Sequence, residues 1–154
     1  MPFLLMALIF WGLGIAIIDK SRWRIGYPTA LFGALLSFIL DTIFVTWGFW
    51  YYKDPLLPDL WPNILLNLSL YPVGVWIFVQ QYPTRKLWRW MWWSGGVAGL
   101  DWMEWVLHLQ HRIYYDHGWN IGFSTLANIG LLWLMKVHFD WVEKPIFRQE
   151  NTRI

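Results

Sequence analysis

The chain has 154 residues, of which 57% are hydrophobic, 21% aromatic and 14% charged, and it contains no cysteine. The apolar content excludes intrinsic disorder, and the missing thiols exclude a disulfide scaffold, cysteine zinc sites and thiol catalysis. A soluble fold of this size cannot bury fifteen tryptophans on such a background, and a net charge of +2 does not point to a nucleic-acid partner, so a membrane protein remains.

A bilayer core of about 30 Å needs about 20 mostly apolar residues per helix. Five segments meet that length, at about 2–18, 27–50, 61–81, 88–108 and 119–138, followed by a polar tail, 139–154. The expected fold is an all-α, integral membrane bundle of five transmembrane helices in one domain. Lys20, Arg22, Arg24, Arg85, Lys86, Arg89, Lys136, Lys144, Arg148 and Arg153 fall on one side, and Lys53 and Arg112 on the other. Basic residues favour the cytoplasm, which predicts an N-terminus outside, a C-terminus inside and a multi-pass place in a cell membrane. Tryptophans and tyrosines gather at the span ends, where amphipathic rings anchor in the headgroup layer. The first segment lacks a basic leader and a small-residue cleavage site, so it is expected as a retained, peripheral span.

The second span carries Ala34, Ser37 and Asp41 on one face, and the third carries Asn63, Asn67 and Tyr71. The fourth carries Asp101, Glu104 and His108 within one arc, and the fifth carries Asn120, Ser124 and Asn128. A carboxylate at a helix centre costs about 2.5–3.5 kcal/mol on insertion scales, so these helices need partners. A rise of about 1.5 Å per residue puts Asp41 and Asp101 at one depth, with Asn67 nearly level and Asn128 and Glu104 close by. The pattern predicts an acidic pocket between spans two to five, in the outer half of the bilayer and open outward. Asp41, Asn67, Asp101, Glu104 and Asn128 are the candidate ligand-binding residues. The alternative reading of the same stripes is hydrogen bonding that only fixes helix packing.

Gly95-x-x-x-Gly99 and Ser94-x-x-x-Ala98 allow close helix approach, here expected within the bundle or between copies. His108, His111 and His117 crowd one outer loop beside Asp116. Imidazole with carboxylate suits a divalent metal, and Glu104, His108 and His111 are the candidate ligands. The sequence lacks HExxH and a repeated Glu-x-x-His.

Asn63 precedes Trp76 by thirteen positions, as Asn120 precedes Trp133; Tyr51-Tyr52 follows the second span as Tyr114-Tyr115 follows the fourth. These matches suggest a duplicated hairpin, with Asp41 paired to Asp101, although the offsets vary. The loop 53–62 holds three prolines and is expected to roof the pocket.

The Leu70-Tyr71-Pro72 step, the Gln80-Gln81-Tyr82-Pro83 exit and the Trp-rich span after them resemble a family of small multi-spanning membrane proteins of spore-forming Gram-positive bacteria. That family carries no assigned activity, so the resemblance implies a bacterial cell membrane and nothing about catalysis. Three functions fit the residues. One is binding or helping to transport a cation, a proton or a small cationic solute. Another is a structural or accessory subunit, and the last is a metal-dependent membrane enzyme. Expected partners are the lipid bilayer and a second copy or another membrane protein. No residue is assigned a catalytic role.

Overall fold

The computed structural model describes residues 2–151, and the side chains of 2–142 except that of Arg22. The chain is mostly helical. Its α-helices are α1 (Pro2–Ile17), α2 (Trp23–Thr46), α3 (Trp61–Asn67), α4 (Leu70–Gln80), α5 (Lys86–Leu109) and α6 (Ile121–Asn151). Two short strands, β1 (Trp50–Tyr52) and β2 (Ile113–Tyr115), join as an antiparallel ribbon. The all-α expectation holds in outline. The ribbon was not expected, and it takes Trp50 out of the second apolar segment.

By length and apolarity, α2 and the α3–α4 pair could cross a membrane, and α1 is a shorter apolar helix. The expected third span is broken at Leu68–Ser69. Pro72 explains the break, because its nitrogen has no hydrogen for the Leu68 carbonyl and its ring crowds that turn. The Ser69 hydroxyl donates back to the Leu65 carbonyl at 2.5 Å. At the far end, α6 continues through Asn151 where a tail was expected from 139. The side chains of that tail beyond Val142 lie outside the described residues.

The helices present apolar side chains outward and polar ones inward. Leu5, Leu8 and Ile15 of α1, Leu31 and Leu35 of α2, and Leu126 and Trp133 of α6 are exposed. Thr29, Ser37, Asp41, Asn63, Asn67, Ser69, Ser124 and Asn128 are buried. A first apolar core joins Val75, Phe78 and Val79 of α4 to Leu131, Leu132 and Met135 of α6. A second gathers Phe3, Leu66, Leu70, Leu107 and Ile113.

The centre of the fold is built from two related units, α2–β1–α3/α4 and α5–β2–α6. Their first helices end alike. The amides of Trp47, Gly48 and Phe49 donate to the carbonyls of Ile43, Val45 and Phe44, and those of Gln110, His111 and Arg112 to Val106, His108 and Leu107. Gly48 and His111 both have positive φ, at 75° and 55°. Each residue of the first set matches the second under one shift of 63 positions, as 48 matches 111. The strand bonds Lys53 N–H to Arg112 O and Asp116 N–H to Phe49 O, both 2.9 Å, exchange under the same shift. The pairing of Trp50 with Tyr115, Tyr51 with Tyr114 and Tyr52 with Ile113 is symmetric about its middle pair. A local two-fold axis passes between Tyr51 and Tyr114, whose rings stack at 5.0 Å.

The second helices obey a shift of 57, as 75 matches 132. A Cβ added to Gly33 would meet the side chains of Val75 and Met135 at 3.1 Å, and one on Gly96 would meet Leu132 and Phe78 at 3.1 Å. Val75 matches Leu132, and Phe78 matches Met135. The same shift relates Asn63 to Asn120 and Trp76 to Trp133. The duplicated hairpin is therefore present in the geometry. Asp41 corresponds to Glu104, however, and not to Asp101 as its depth suggested.

Candidate functional site

Asp41, on the inner face of α2, is 5% exposed and held by three donors. Its Oδ1 accepts from Trp50 Nε1 at 2.8 Å and from the Tyr52 hydroxyl at 2.9 Å, and its Oδ2 accepts from Asn67 Nδ2 at 3.0 Å. The side chain thus accepts at both of its oxygens. Glu104 is the counterpart on α5. Its Oε1 accepts from the Tyr115 hydroxyl at 2.6 Å and from Ser124 Oγ at 2.5 Å. Ser124 Oγ in turn accepts from Trp119 Nε1 at 2.9 Å. Tyrosine follows the acid by eleven positions in both units, and Asn67 stands where Ser124 stands.

The units differ in the donors they offer from the ribbon. Trp50 donates to Asp41, whereas Ile113 occupies the matching place in β2 and has no donor to offer. Among the described residues, Glu104 Oε2 has no hydrogen bond. Burial first, and the facing carboxylate after it, hold the Tyr52 and Tyr115 phenols well above a tyrosine's ordinary range. Both therefore remain O–H donors.

The two acids line one cavity of about 90 Å³ with Ser37, Tyr71, Ser124 and Asn128. That space suits a few water molecules or one small ion. The ribbon lies across the end expected to be open, since Trp50, Tyr52 and Ile113 are part of the wall. Phe44, Trp50 and Trp119 also line it, packed with ring centroids 5.0–5.1 Å apart.

Of the expected ligand-binding residues, Asp41, Glu104 and Asn128 reach this cavity, and Asn67 supports Asp41 from behind. Asp101 does not. Its Oδ2 accepts from Thr125 Oγ1 at 2.7 Å and its Oδ1 from Asn128 Nδ2 at 2.8 Å, so it fastens α5 to α6. The metal set is not assembled. His108 Nδ1 donates to the Ile113 carbonyl at 3.0 Å while its ring stacks on Tyr115, and the His111 ring stacks on Tyr114. Among the described residues, no three histidines, aspartates or glutamates gather as metal ligands. Within the bundle the expected close approach is not made by this glycine pair: a Cβ on Gly95 or Gly99 would meet nothing within 4 Å, and Gly96 makes the close contact instead.

Trp50, Tyr52, Tyr115 and Trp119 complete the site, yet sequence reasoning assigned them only to span ends and a repeat. The usable signal was the equal spacing from Asp41 to Tyr52 and from Glu104 to Tyr115. No family model, curated protein or solved structure matches this chain.

Proposed function

We propose that the chain is a five-span protein of the cell membrane, N-terminus outside and C-terminus inside, that binds a small cation in the Asp41–Glu104 cavity and helps transport it. The observation that carries this reading is a pair of symmetry-matched carboxylates on one cavity, one saturated with donors and the other with a free oxygen. Exposed leucines on α1, α2 and α6 around buried polar groups support a lipid surrounding, because hydrocarbon is the solvent such a surface suits. In this reading α5 and α6 cross the bilayer with the α5 carboxylates, Asp101 and Glu104, turned toward α6, as intramembrane acids turn inward.

The test is equilibrium binding of labelled methylammonium to the protein in phosphatidylcholine nanodiscs. Glu104→Gln is expected to weaken binding about tenfold or more, a loss of about 1.4 kcal/mol. Asp101→Asn is expected to bind as the parent does, since that residue lies off the cavity. Equal binding by Glu104→Gln and the parent would overturn the proposal. The accessory-subunit reading draws on Asp101, whose two oxygens serve only helix packing. It would gain if methylammonium bound to neither protein.

A further inference from the structure

The two-fold relation does not extend to the packing of α5 on α4. Helix α2 packs against both α4 and α6, but its counterpart α5 packs against α6 and separates from α4. At the Lys86 end of α5 the helices still touch, where Trp92 Nε1 donates to the Phe78 carbonyl at 3.0 Å. From there they diverge around a groove of about 530 Å³. Its wall follows α5 from Trp92 to Met103, a length of about 16 Å at the helical rise. Gly74, Gly95 and Gly99 lie along it, and none would place a Cβ against any atom within 4 Å.

The groove runs up to the carboxylate cavity. Leu70, Tyr71, Leu100, Met103 and Leu131 are walls of both. Among the described residues, the Tyr71 hydroxyl on that shared wall has no hydrogen-bond partner. Among the described residues, no lysine, arginine or histidine lines either space, and the charged walls are Asp41 and Glu104. A long apolar slot ending at two acids is complementary to one kind of molecule.

Resting on the cation-binding reading, we infer that the α4–α5 groove holds the hydrocarbon chain of a cationic amphiphile, a long-chain amine, whose head sits between Asp41 and Glu104. The chain lies along Gly95 and Gly99, and the ammonium meets Glu104 Oε2 and the Tyr71 oxygen. Because the ribbon covers the end of the bundle, the molecule comes in sideways from the lipid.

The experiment is displacement of labelled methylammonium by butylamine, octylamine and dodecylamine in phosphatidylcholine nanodiscs. The parent protein is compared with Gly99→Leu and Gly95→Leu, which fill the groove. Chain partition into lipid is common to all three proteins and cancels. In the parent, dodecylamine should displace about tenfold more effectively than in the groove variants, while methylammonium itself binds all three alike. Identical chain-length dependence in the parent and both variants would overturn the inference and leave cation binding standing. If methylammonium fails to bind the parent, the cation reading falls and this inference with it. Thermal unfolding of the two variants checks that each folds, and either one suffices for the comparison.

Discussion

Tyr52 and Tyr115 do the same work for different acids. Each returns from the ribbon to the carboxylate eleven positions before it, and each keeps its proton because burial disfavours the phenolate. Removing the hydroxyl leaves a buried acceptor short of a donor, which costs about 1–3 kcal/mol. Tyr52→Phe and Tyr115→Phe should both lower the unfolding temperature in mild detergent, and unchanged melting in both would refute the pairing. His111 tests the loop in the opposite direction. At φ 55° a histidine is strained, at a cost of roughly 1 kcal/mol, and Gly48 fills the matching place in the other unit. His111→Gly should therefore raise the unfolding temperature. A metal-ligand role would instead predict a loss. At this scale the sequence was partly legible. Asp41, Asn67, Glu104 and Asn128 were visible as polar residues in apolar runs. Asp101 misled because depth along a helix says nothing of which neighbour its face meets.

The helices were legible because their apolar runs are long, and only their ends and one interruption were not. Pro72 was in view, yet its effect depends on whether neighbouring turns can absorb the missing bond, and here they do not. Three-residue strands leave no periodic trace, so the ribbon could not be foreseen. The glycines give a sharper test of the element packing. Alanine favours a helix over glycine by about 1 kcal/mol where nothing is in the way. Gly95→Ala and Gly99→Ala should stabilise the protein, whereas Gly33→Ala and Gly96→Ala should destabilise it, because their Cβ atoms would press on Val75, Met135, Leu132 and Phe78. A thermal series over the four variants checks the sign at each site, and a uniform sign would contradict the packing described.

Across the whole molecule, the duplication was half visible. The tyrosine pairs and the Asn–Trp spacing gave two offsets that looked inconsistent, because the loop from the strand to the second helix differs in length between the units. Both offsets are correct once each is applied to its own part of the unit. The ribbon is where the halves meet, with Tyr51 and Tyr114 on the axis. Paired strands hold opposite Cα atoms about 4.5–5.5 Å apart, within reach of a disulfide. In this cysteine-free chain, Tyr51→Cys with Tyr114→Cys should cross-link on oxidation without added reductant, seen as a mobility shift on a non-reducing gel. Failure to cross-link would move the axis elsewhere.

That ribbon ties the two units at one end, while at the other Trp92 and Trp93 of α5 hold to Phe78 and Tyr82 by single bonds. The gap lies between two fastened ends, so α4 and α5 part in the middle like the sides of a buttonhole. Swinging α5 onto α4 would repeat the packing that α2 already makes with α6, so the closed state has its template within the same molecule.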